Sequence, residues 1–160
     1  MTISCTPSLT WHDGMLVGLE AMDVEHEELV ALIEAVRHAP DARIAEMLDK
    51  LAAHAREHFR SEEALMSRTG FPAEACHTGE HEAVLRSISG VQARVRGGEL
   101  EAARRLGVAL ADWFPGHAEY LDASLAHWVC KQSHGGKPIV LRRRIPRLIP
   151  ANATDLHTQH

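Results

Sequence analysis

His58-Phe59-Arg60-Ser61-Glu62 and, after one short break, His77-Thr78-Gly79-Glu80-His81 decide how this chain folds. In each stretch two metal-binding side chains stand four residues apart, which on an α-helix places them on one face, about one turn apart. Working outward, His58 and Glu62 continue an apolar stripe through Leu51, Ala55 and Phe59, and His77 and His81 are in register with Val84, Leu85 and Ile88. The same pattern recurs at both ends of the chain. His26 shares a helical face with Leu29, Val30 and Ile33; His117 stands seven residues after Leu110 and four before Leu121, with Asp122 close behind. The plain alternative is a bundle whose histidines are surface polar residues. Periodicity argues against it, because five imidazoles and two carboxylates fall on core-facing stripes, where an unpaired carboxylate is very costly to bury. A metal ion supplies the missing partner, and this ligand set suits iron, zinc or manganese.

Segmentation follows from the same stripes. Residues 1–19, with Pro7, Gly14 and Gly18, read as an extended arm. A first helix is expected from about Ala21 to His38. A second is expected from a cap at Asp41 to about Arg68, stopped by Gly70-Phe71-Pro72. A third runs from about Ala73 to Arg96 and ends at Gly97-Gly98; a fourth runs from about Leu100 to Lys131. Short linkers make neighbours antiparallel. The expected fold is therefore all-α, an up-down-up-down four-helix bundle over residues 20–131, with the arm before it and a basic tail, 132–160, after it. His117 to Asp122 is a five-residue step, about 140° around a regular helix. Both reach one centre if Asp122 enters from the flank or if the helix widens to a π turn. Pro115, two residues before His117, is expected to bend the helix, either as a tolerated kink or to re-aim His117.

Composition excludes several classes. The chain has 160 residues, enough for one domain with a substantial core. No apolar stretch reaches spanning length and no signal-peptide pattern opens the sequence. Cys5, Cys76 and Cys130 are widely spaced without a CxxC, which fits a reducing cytoplasm; Cys76 reads as a buried, inert thiol. Residues 1–130 hold 11 Lys and Arg against 21 Asp and Glu, a balance of −10, whereas residues 131–160 hold 6 against 1, a balance of +5. An acidic bundle is a poor nucleic-acid binder.

These residues carry a resemblance to the hemerythrin family, in its bacterial single-domain form. The matching segments are Trp11-His12-Asp13-Gly14 with Gly18; Met22 to His26; His58 to Met66; Gly70-Phe71-Pro72 with His77 and His81; and Trp113 with His117 and Asp122. Their order and spacing agree over about residues 9–130, the five-residue step included. The resemblance implies two iron ions with an oxo or hydroxo bridge. His77, His81 and His117 would serve one iron and His26 and His58 the other, with Glu62 and Asp122 bridging. Five imidazoles, two bridging carboxylates and a bridging oxygen leave two six-coordinate irons one donor short, and an open position is where a small ligand binds. The expected function is reversible dioxygen binding for storage, delivery or sensing, without enzymatic turnover. Neutral imidazoles in place of anionic oxygens give less support to high-valent iron, and the paired ExxH motifs of di-iron oxidases are absent. The alternatives are a di-iron enzyme handling peroxide or nitric oxide, and an iron-sensing or storage module.

Trp113 and Phe114, one turn before His117, are the expected dioxygen pocket, supported by Leu29 and Phe59. The family usually has an aliphatic residue where Phe114 stands and often a branched one at Ala118. His54 is either a partner of a ligand or turned to a neighbouring helix, and Glu57 and Glu63 read as solvated. The tail segment Ile139 to Ile149 mixes aliphatic and basic residues. It is read as disordered, or as docking on the bundle, on a protein partner or on an anionic surface.

Overall fold

Pro40 and Gly70 set the two ends of the longest helix. A computed structural model describes residues 7–135. In it α1 spans Glu20–His38, α2 Asp41–Thr69, α3 Glu74–Arg96, α4 Glu101–His117 and α5 Ala123–Ser133, with a π-helical turn, Ala118–Asp122, joining the last two. Pro40 holds extended backbone ahead of α2, and its lack of an N–H is no loss at a helix start. Asp41 is therefore the first helical residue rather than the cap, and its carboxylate meets Arg104 of α4 at 2.5 Å. Gly70 closes α2 in the left-handed region (φ 62°), and the N–H of Phe71 donates to the Met66 carbonyl. That conformation suits a residue without Cβ.

The arm differs from the extended segment expected. Asp13–Met15 form a 3-10 turn, whose start is capped by His12 Nδ1 accepting from the Gly14 N–H. Asp23 of α1 then holds the arm by accepting from the N–H groups of Val17 (2.7 Å) and Gly18 (3.1 Å). The tail expectations, disorder or docking over residues 136–160, lie outside the described residues.

Each helix packs on two neighbours, α1 on α2 and α4, and α3 on α2 and α4, so the four rods form a closed square. Gly107 permits the α1–α4 approach; a Cβ there would come within 2.6 Å of Arg37 Cγ and 3.4 Å of the Ile33 carbonyl. The core is divided along the bundle axis. A large apolar cluster holds Leu29, Ile33, Leu51, Phe59, Ile88 and Phe114, and a smaller one holds Met22, Met66, Phe71 and Leu125. Between them every rod carries its polar residues: His26 follows Met22 and precedes Leu29, Glu62 precedes Met66, and Asp122 precedes Leu125. The two apolar clusters thus close a polar layer from both ends. Among the described residues no helix is long and apolar enough to cross a membrane.

Candidate metal centre

The seven residues singled out from the sequence come together in that layer. His26, His77, His81 and Asp122 have no exposed surface, and His58, Glu62 and His117 are 1%, 2% and 4% exposed. Their donor atoms form two overlapping groups that could each hold a metal ion. One is Glu62, His77, His81, His117 and Asp122; the other is His26, His58, Glu62 and Asp122. Within each group the donors lie within 4.8 Å of one another. Donors about 2.1 Å from a shared ion sit about 3 Å apart at right angles and about 4.2 Å apart across it, so the spacing fits.

The carboxylates divide their oxygens between the groups. Glu62 turns Oε1 to His58 Nε2 (3.3 Å) and His26 Nε2 (3.6 Å), and Oε2 to His81 Nε2 (3.0 Å) and His77 Nε2 (3.6 Å). Asp122 turns Oδ2 to His26 Nε2 (3.1 Å), and Oδ1 to His77 Nε2 (2.9 Å) and His117 Nε2 (3.1 Å). This is what two bridging carboxylates require. Among the described residues, all buried side-chain nitrogen and oxygen atoms without a hydrogen-bond partner belong to these seven side chains. Orphaned polar atoms in a dry core are destabilising by roughly 1–3 kcal/mol each, and more when charged, so their concentration in one layer calls for an ion. The residues present fit a two-metal site.

Electrostatics of the metal-free layer agree. Burial opposes the charged form of His26 and of His77, yet Asp122 and then Glu62 outweigh it and raise both to about 9. His117 is also raised, burial being overcome mainly by Asp122. His58 is lowered by burial against the pull of Glu62 and Glu25. Burial raises Glu62 and Asp122, but the histidines around them hold both carboxyls below the usual range. Without metal, imidazolium charge balances the carboxylates.

The π turn is what delivers Asp122. The N–H of Ala123 bonds the Ala118 carbonyl five residues back, so His117 and Asp122 share a face despite their spacing. Pro115 lies just upstream inside α4. Its missing N–H leaves the helix one hydrogen bond short immediately before the wider turn.

Sequence reasoning missed a set of carboxylates. Glu25 Oε2 accepts from His58 Nδ1 at 2.7 Å, Glu63 Oε1 from His81 Nδ1 at 3.1 Å, and Glu80 Oε2 from His117 Nδ1 at 2.8 Å. Glu63 is therefore not simply solvated, whereas Glu57 is exposed and pairs with Arg60 on its own helix. The available signal was adjacency, since Glu25, Glu63 and Glu80 each stand beside His26, Glu62 or His81 in the sequence. His54 turns to α1, donating Nε2–H to the Glu25 carbonyl (2.9 Å), with its ring stacked 6.3 Å from His58. Cys76 is exposed rather than buried, because its neighbour His77 takes the inward direction on α3.

Phe114 is fully buried with its ring 5.2 Å from His26. Phe59 stacks on His81 at 4.0 Å and also touches His58. Trp113 lies on the other side of the layer, 4.4 Å from His117, and donates its indole N–H to Glu80 Oε2 (3.3 Å).

A helical bundle with a buried imidazole–carboxylate layer defines the class: non-haem metal-binding four-helix proteins. The chain belongs to the hemerythrin family, for the family's Hemerythrin HHE cation binding domain matches residues 17–128. It is 32% identical over 126 residues to a bacteriohemerythrin of Ralstonia nicotianae, covering 79% of this chain and 92% of that one. It is 30% identical over 140 residues to a bacteriohemerythrin of Pseudomonas paraeruginosa, covering 80% and 91%. A crystal structure of a hemerythrin mutant superposes with a TM-score of 0.69 at 22% identity, over 74% of this chain and 95% of that one, which shows the shared fold.

Proposed function

We propose that this chain binds dioxygen reversibly at a di-iron centre held by His26, His58, Glu62, His77, His81, His117 and Asp122. In this reading His77, His81 and His117 would hold one iron and His26 and His58 the other, with Glu62 and Asp122 shared between them. The observation that carries it is the division of Glu62 and Asp122 oxygens between the two histidine groups. A ferrous pair, when bound, supplies the electrons and the open coordination position that reversible dioxygen binding requires.

The chain's own residues do the rest. Five Nε2 atoms would hold the metals as neutral donors, so the only negatively charged side chains among the seven would be Glu62 and Asp122. Phe114 against His26 places carbon beside the two-histidine side, which is where this reading puts the open position, while Phe59 lies between the two groups, stacked on His81 and touching His58. Neither ring carries a proton donor, so water and protons are kept from a bound ligand there. Trp113 walls the His117 side, its indole N–H already committed to Glu80. The role is carriage, storage or sensing rather than turnover. Free thiols at Cys76 and Cys130 suit a reducing cytoplasm.

The test is a visible spectrum of iron-loaded, anaerobically reduced protein before air, after air and after purging. A charge-transfer band that appears with air and leaves on purging is expected. A permanent oxidised spectrum with no reversible band would overturn the reading. Turnover of peroxide or nitric oxide by the surviving centre would replace it with an enzymatic one.

A further inference from the structure

We propose that Glu25, Glu63 and Glu80 are positioning residues that form a one-way relay around the bundle. Each sits beside a candidate metal ligand on one helix and fixes the imidazole of the next helix with its Nε2 toward the centre. Glu25 on α1 holds His58 on α2, Glu63 on α2 holds His81 on α3, and Glu80 on α3 holds His117 on α4. This inference rests on the metal-site part of the reading above but not on dioxygen.

The relay follows from helix geometry. When one side chain points at the bundle axis, its sequence neighbour is turned about 100° and points at the seam with an adjacent helix. Viewed from one end, the preceding residue on an upward helix and the following residue on a downward helix turn in the same sense. The chain uses them in that order: Glu25 precedes His26 on α1, Glu63 follows Glu62 on α2, and Glu80 precedes His81 on α3. The alternation of before, after, before is what the up-down-up topology demands of a relay with one sense of rotation. Phe59, which follows His58, obeys the same rule by stacking on His81.

The rule also explains where the relay stops. On α4 and its π turn the corresponding neighbours follow His117 and Asp122, and they are Ala118 and Ala123. Alanine has no side-chain acceptor, and the histidine they would serve on α1, His26, has an Nδ1 without a partner among the described residues. Among the described residues His77 Nδ1 is unpartnered as well, because the α2 carboxylate that turns toward α3, Glu63, is taken by His81. Each relay carboxylate is between about a third and a half exposed, so these bonds close the centre's outer edge rather than fill its core. A histidine whose second nitrogen donates to a carboxylate is fixed in tautomer and ring orientation and is a more basic ligand.

The experiment compares Glu25→Ala, Glu63→Ala and Glu80→Ala with the three Gln variants and with Glu57→Ala as a surface control, all in the full chain. Loaded with zinc or cobalt(II), each is challenged with a chelator, and the Nδ1–H signals of the bound imidazoles are followed by NMR. Each Ala variant is expected to release metal about 10- to 100-fold faster. Its own histidine, His58, His81 or His117, is expected to lose protection of the Nδ1–H against solvent exchange. Gln, whose carbonyl still accepts that N–H, is expected to restore most of both properties, and Glu57→Ala to change neither. Wild-type release rates in the Ala variants, or Gln no better than Ala, would overturn the relay alone. A wild-type chain that retains no metal would overturn the relay and the metal site together. Two metals held without reversible dioxygen binding would remove only the dioxygen reading.

Discussion

Asp122 Oδ2 lies 3.1 Å from His26 Nε2, both without exposed surface, at the meeting of the π turn and α1. In the metal-free protein this contact and its counterpart at His77 make stability depend on pH. His26 and His77 are raised from 6.5 to about 9, so the stability they contribute is fully present below about 6.5 and is lost as pH rises through 9. Glu62 and Asp122 are lowered, so their contribution is present above the ordinary carboxylate range and is lost on acidification. The chelated protein should melt highest between about pH 5 and 6.5. Its Tm should fall toward pH 9, whereas metal-loaded protein should not follow that fall. A flat profile for the chelated protein from pH 6.5 to 9 would count against the imidazolium–carboxylate pairing.

Removing a histidine from one group should release one ion and spare the other. His77→Ala or His117→Ala takes a donor from the three-histidine group, and His58→Ala one from the two-histidine group. Elemental analysis should show close to one equivalent in place of two for each. Glu62→Ala and Asp122→Ala remove a donor common to both groups and should release both ions. Two equivalents retained in His117→Ala would refute the assignment.

The stripes made the fold and the cluster legible because each polar residue replaces an apolar one in a helical repeat, as Glu62 does between Phe59 and Met66. What stayed hidden depended on the angle between helices rather than on the face of one helix. Glu63 looks like any solvated residue on α2 alone, and only the position of His81 on α3 gives it a partner. Asp41 matched a capping pattern, but Pro40 already held the extended backbone and Arg104 from α4 claimed the carboxylate. The π turn was legible as one of two ways to reconcile His117 with Asp122, because spacing alone cannot separate a wider turn from a flanking approach.

That π turn holds one residue more than an α turn, and Tyr120, at 71% exposure, lies outside the interior. Deleting Tyr120 should convert the segment to a regular helix in which His117 and Asp122 stand four apart and still share a face. Metal content should then stay at the wild-type level. Inserting an alanine after Tyr120 should instead rotate Asp122 by about 100° and abolish metal binding. Equal loss of metal from deletion and insertion would show that the widened turn, and not merely helical phase, is needed.

Phe114 is fully buried with its ring edge-on to His26, and on the dioxygen reading it keeps water from the two-histidine side. Phe114→Ala should lower stability by about 3–5 kcal/mol, the usual range for emptying a core aromatic site. It should also admit water beside His26, so the air-induced band should decay faster to the permanently oxidised spectrum. Phe114→Leu keeps the site apolar with less volume and should restore most of the stability and a large part of the band's lifetime. Trp113→Phe, on the His117 side, should leave that lifetime nearly unchanged. If Trp113→Phe shortened the band as much as Phe114→Ala does, the open position would belong on the three-histidine side instead.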